Sequence, residues 1–105
     1  MFRGTTPTIE IKVETDMDFN DIQKLWLTFK TQTQEVTKQL DEVQLDNENK
    51  TITCTLSQTD TLMFPDDSRV EVQLRGLSVV QGDNKAWASD IGATTAKRIL
   101  KGGEI

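Results

Sequence analysis

The sequence predicts an all-β domain of seven or eight short antiparallel strands, closed as a sandwich or a barrel, with one short helical crossover. Three observations carry this reading. Apolar and polar residues alternate with period two in four separate stretches, the habit of strands with one face buried and the other in water. Turn signals recur at short intervals, at Asp46-Asn47-Glu48-Asn49 and at Gly82-Asp83-Asn84. A helix-start signature stands clearly at only one place, between the third and fourth of those stretches.

In chain order, the first strand is the alternation of Ile9, Ile11 and Val13 with Thr8, Glu10, Lys12 and Glu14. It begins near residue 7, and Pro7, which has no N–H to give to a ladder, places that start at an edge or a sheet switch. The leader Phe2-Arg3-Gly4-Thr5-Thr6 then reads as a short arm, and Phe2 and Arg3 are candidate contacts with a neighbouring subunit. In "DMDFNDIQ" a single helical turn is expected, with Asp18 as its cap and Phe19 plugging an end of the core.

"KLWLTFK" sets Leu25, Leu27 and Phe29 against Lys24, Trp26, Thr28 and Lys30. "TITCTLS" sets Ile52, Cys54 and Leu56 against Thr51, Thr53 and Thr55, and "RVEVQLR" sets Val70, Val72 and Leu74 against Arg69, Glu71, Gln73 and Arg75. Weaker strand candidates are "QEVTKQL", the stretch around Val43 and Leu45, "KAWASDI" and "TAKRIL". In "SQTDTLMFPDD", Ser57 stands three residues before Asp60 in the manner of a capping box, and Pro65 stops the helix. One or two turns near residues 58–64 are expected to cross from one sheet to the other.

Length and composition bound the rest. A chain of 105 residues is the size of one domain with one core, so residues 1–105 are read as a single unit. A net charge of −5 with scattered basic residues argues against nucleic acid as a partner, because that affinity comes from clustered Lys and Arg. No window approaches the ~20 apolar residues that span a bilayer, and no apolar signal stretch opens the chain, so no membrane contact and a cytoplasmic place of synthesis and assembly are expected.

Candidate chemistry is sparse. Cys54 is the sole cysteine and occupies an inward strand position, which makes it a small core hydrophobe rather than a nucleophile in a chain without histidine. Asp16-x-Asp18-x-Asn20 offers alternate oxygen ligands, but a calcium loop would want Gly at Asp21 and a bidentate Glu at Leu27. Asp66 and Asp67 follow Pro65 as an exposed turn, no phosphate-binding glycine pattern occurs, and no serine has an activating base. The expectation is a non-enzyme with no cofactor and no metal. Trp26 sits on the polar side of its strand and reads either as an anchor for a partner or ligand or as part of a two-sided core. Trp87 reads as core, and the two tryptophans together leave open a sugar-binding surface.

Taken in order, "FRGTTPTIEIKV", "LWLTFK", "TITCTLSQTDTLMF", "VEVQLRGL" and "AWASDIGATTAKRILKGGEI" resemble small proteins encoded by phages and prophages of Gram-positive bacteria. The order and spacing are also similar to the immunoglobulin-like N-terminal domain of phage baseplate upper proteins. The resemblance spans essentially the whole chain. It implies an immunoglobulin-like antiparallel β-sandwich and a structural or assembly role in or beside the phage tail or baseplate. The implied partners are other phage structural proteins or further copies of this chain, in the host bacterial cytoplasm during assembly or in the virion. A carbohydrate-binding module using an exposed tryptophan is the alternative.

Overall fold

The computed structural model describes all 105 residues as eight strands and one short α-helix. The strands are β1 (Thr8–Lys12), β2 (Ile22–Lys30), β3 (Glu35–Gln39), β4 (Gln44–Asp46), β5 (Thr51–Thr55), β6 (Ser68–Val80), β7 (Asp83–Ala88) and β8 (Gly92–Ala96), and α1 (Gln58–Leu62) lies between β5 and β6. They form two antiparallel sheets. One has the order β1-β5-β4; the other runs β3-β2-β6-β7, with β8 also on β6. The expected all-β sandwich with a crossover helix is therefore the fold.

The strand order departs from the immunoglobulin arrangement, in which strands 1-2-5-4 face 3-6-7. Here β2 lies between β3 and β6 instead of between β1 and β5. Residues Leu25, Leu27 and Phe29 of β2 face the core from the larger sheet, with Val70 and Leu74 of β6 beside them and Ile52 and Cys54 of β5 opposite. Thirteen buried apolar residues form one cluster, so the chain has a single core. Cys54 is among them, and burial raises its thiol pKa, which keeps it protonated and inert.

Strand β6 is the spine of the larger sheet. Along one side it pairs with β2; along the other its first half pairs with β8 and its second half with β7. Its thirteen residues run well past "RVEVQLR" and through Gly76. The β6–β7 hairpin then closes on Gln81 and Gly82, both at positive φ (51° and 83°), the backbone that a two-residue turn between twisted strands requires.

At the N-terminal side, β1 is an edge strand and Pro7 contributes only its carbonyl, which accepts from the Leu56 N–H at 3.0 Å. The turn at Phe19–Asp21 is a 3₁₀ turn capped as expected: the Asn20 N–H donates to Asp18 Oδ1 at 2.9 Å, and Phe19 is buried. Helix α1 has both arms of its capping box, from the Asp60 N–H to Ser57 Oγ (3.0 Å) and from the Ser57 N–H to Asp60 Oδ2 (2.9 Å).

One expected strand is displaced. "TAKRIL" supplies only Thr95 and Ala96 to β8, whose main part is Gly92–Thr94. Lys97 instead bridges to Phe2 in parallel pairing, and from there the chain leaves the sheet, with Ile99 lying against the leader at Gly4.

Candidate functional site

Each strand of the larger sheet turns its second set of side chains outward, and the register lays these out in rungs. Gln39, Trp26 and Arg75 lie side by side across β3, β2 and β6; the next rung is Thr37, Thr28 and Gln73; the next is Glu35, Lys30 and Glu71. The Thr31–Gln34 turn rises at one end, and Pro65, Arg69 and Ile91 rise along the β6 side. Together they bound a trough of about 1280 Å³. Beyond Trp26 and Arg75 the same face continues into a smaller notch of about 150 Å³ against Leu77 and Ala86.

Local chemistry fixes the trough walls. The Thr31 hydroxyl accepts the Gln34 N–H at 3.0 Å, which closes the β2–β3 turn. Thr28 and Thr37 share a hydroxyl hydrogen bond across the strands at 3.3 Å, and the Gln73 amide donates to the Ser89 carbonyl at 3.0 Å. None of the chain's three ion pairs lies on this face, so Lys30, Glu35, Glu71 and Arg69 keep their hydrogen-bonding capacity for solvent or ligand.

Trp26 is half exposed, and the Arg75 guanidinium carbon lies 5.4 Å from its ring centroid. Of the two sequence readings, the structure supports a surface tryptophan and not a second core layer. Trp87 turns the opposite way. It packs half-buried against the core, and its indole N–H donates to the buried Ser78 hydroxyl at 3.1 Å. The register puts the two tryptophans on opposite faces of one sheet, and both border the small notch beside Gly76.

The leader is some way from the trough. The Arg3 guanidinium donates to the Phe64 carbonyl (2.5 Å), the Leu62 carbonyl (2.9 Å) and Asp66 Oδ1 (2.6 Å), closing the C-terminal end of α1 within the chain. Phe2 is half exposed beneath the Lys97 ammonium, 5.2 Å from its ring centroid. The two leader residues thus divide: Arg3 faces its own chain and Phe2 faces solvent. Sequence reasoning passed over Arg75, Gln73 and Thr37 as ordinary strand residues; only the strand register brings them beside Trp26.

Comparison with family models, curated proteins and solved structures gives no match. No helix is long and apolar enough to cross a membrane.

Proposed function

We propose that this chain is a non-enzymatic structural or assembly protein of a phage tail or baseplate, and that it works by docking to other particle proteins or to its own copies. The observation that carries the docking reading is the end of the molecule built from the leader, α1 and the C-terminal segment. There Phe2 and Met63 are each about half exposed, and Leu100 and Ile105 are fully so. The segment that presents them is held in place. The Gln58 side chain binds both the N–H and the carbonyl of Ile105, and the Thr59 hydroxyl donates to Glu104. Apolar side chains on an ordered scaffold suit a protein contact. The resemblance of the segment order to that of phage proteins supplies the context, and the phage location rests on that resemblance alone.

Mass analysis of particles and assembly intermediates induced from a lysogen tests this reading. The expected result is the chain in at least one of the two, with its recovery reduced by Phe2→Ser. Absence from both would sink it.

A second reading, carbohydrate binding, is favoured by a separate observation: Trp26 stands exposed in a polar trough.

A further inference from the structure

We propose that the outer trough of the larger sheet is a binding site for an extended neutral oligosaccharide, with Trp26 as the stacking platform. The inference rests on the second reading above and gives it a site, a ligand class and a set of contacts.

Shape comes first. The trough exceeds the ~300–1,000 Å³ usual for a compact small-molecule pocket, and it is open along the strands. From Trp26 to Lys30 it follows β2 for about 14 Å at ~3.4 Å per residue. Such a channel suits a chain of linked rings better than a single compact molecule.

Chemistry narrows the class. A protein partner would need a desolvated apolar centre, whereas this floor carries hydroxyl, amide and charged groups around one aromatic ring. A polyanion would need clustered cations. Here Lys30 lies between Glu35 and Glu71 in the register, and Arg75 already rests against Trp26. Three cations against two carboxylates leave the lining nearly neutral within a chain of net charge −5.

What remains is a surface of mixed donors and acceptors with a flat apolar plate at one end. A sugar chain matches both features, because its ring hydroxyls give and accept hydrogen bonds and its C–H faces lie flat on an indole. The plate is also preorganised. Arg75 steadies one part of the indole while half of the side chain stays in water, so little freedom is lost on binding.

The test uses the full chain on an array of neutral, acidic and sulfated oligosaccharides, followed by tryptophan fluorescence titration with those retained. The expected result is saturable binding of neutral chains of several sugars, with a shift in the emission of Trp26. Trp26→Ala should weaken this by roughly tenfold or more, Trp26→Phe should restore part of it, and Phe2→Ser should leave it unchanged. Trp26 is half exposed, so its variants keep the fold, which near-UV circular dichroism and urea unfolding check. Four outcomes would each overturn the proposal: no saturable binding of any neutral oligosaccharide, retention of anionic chains alone, binding unaffected by Trp26→Ala, or protein association through this face in the absence of sugar binding. Failure of the docking reading is read separately, from particle content and from Phe2→Ser.

Discussion

At Gly76 the indole of Trp87 occupies the space where a Cβ would stand. An ideal Cβ there lies 2.3 Å from Trp87 Cζ2 and 2.6 Å from Cε2, and the two residues are register partners across β6 and β7. The ring cannot slide aside freely, because its N–H is tied to Ser78, whose hydroxyl in turn donates to Met17 Sδ at 3.2 Å. Gly76→Ala is therefore expected to cost about 2 kcal/mol through overpacking. Urea unfolding in a double-mutant cycle checks this: in a Trp87→Ala background the same substitution should cost almost nothing, and an equal cost in both backgrounds would refute the contact as its cause. Ser68 is the converse case. Its hydroxyl is buried with no hydrogen-bond partner, so Ser68→Ala should leave stability unchanged or raise it by up to about 1 kcal/mol, and a lower urea midpoint would contradict this. Neither residue stood out in the sequence. A glycine after "VEVQLR" reads as the end of a strand until its cross-strand neighbour is known.

Among the elements, β3 and α1 are joined by a charge that the strand pattern does not explain. Lys38 pairs in register with Leu27, whose side chain is in the core, so its stem points inward from an edge strand. Its ammonium lies 2.8 Å from Asp60 Oδ2 and 3.8 Å from Glu42 Oε2. An inward charge on an edge also discourages a second chain from pairing there. Asp60 thus serves both as the capping-box acid of α1 and as the partner of Lys38. Desolvation pulls its pKa up, but the hydrogen bonds from Lys38 and Ser57 outweigh this and hold it below the usual carboxylate value. The Lys38 pKa is raised, chiefly by its hydrogen bond to Asp60. A depressed acid stabilises the fold above its unfolded pKa of about 4, and that stability is lost as pH falls through the lower folded value. A raised lysine stabilises below about 10.4 and loses its contribution as pH rises through the higher folded value. Stability should therefore fall below about pH 4 and, as pH rises, decline first from about 8.5, where the Cys54 thiol of the unfolded chain ionises while burial holds the folded thiol protonated, and then further through the lysine's folded value. Asp60→Asn should flatten much of the acid limb of urea midpoint against pH, the remainder belonging to groups such as Asp46, which the Asn49 backbone N–H and side chain hold low. An unchanged acid limb would rule out Asp60 as its source. This pairing explains why "QEVTKQL" was a weak strand signal. Lys38 breaks the apolar alternation, and the residue that makes it tolerable lies on another element. Where both faces obeyed local rules, as in "KLWLTFK" and the Ser57–Asp60 box, strand and helix were readable directly.

Across the whole molecule, the two ends of the chain meet at α1, a closure that no local pattern announces. The leader bridges to Lys97 in parallel pairing, with the Arg3 N–H donating to the Lys97 carbonyl at 2.9 Å and the Lys97 N–H to the Met1 carbonyl at 2.7 Å. The buried Thr61 hydroxyl donates to the Thr5 carbonyl at 2.9 Å, and Gly4, at φ 70°, passes between Ile99 and Leu62 with no room for a free side chain. Arg3 accounts for the largest share, since a partly buried guanidinium satisfies two carbonyls that α1 and its exit leave open and pairs with Asp66 as well. Composition identified the leader as too polar to be a signal, but its intramolecular partners lie about sixty residues away, beyond the reach of any periodicity. An arm that served only a neighbour could be deleted without loss of folding. With these contacts in place, removal of residues 2–6 should lower the urea midpoint sharply even in the isolated monomer, because it strips the C-terminal end of α1 and the Phe2–Lys97 bridge together. Arg3→Ala alone should cost about 2 kcal/mol, and Arg3→Lys should recover little of it, since an ammonium cannot reach two carbonyls and a carboxylate in one plane. Phe2→Ser should leave the midpoint nearly unchanged and act only on assembly, measured by light scattering and by particle incorporation. If Arg3→Ala instead left stability intact and reduced association, the arm would belong to the neighbour and not to this chain.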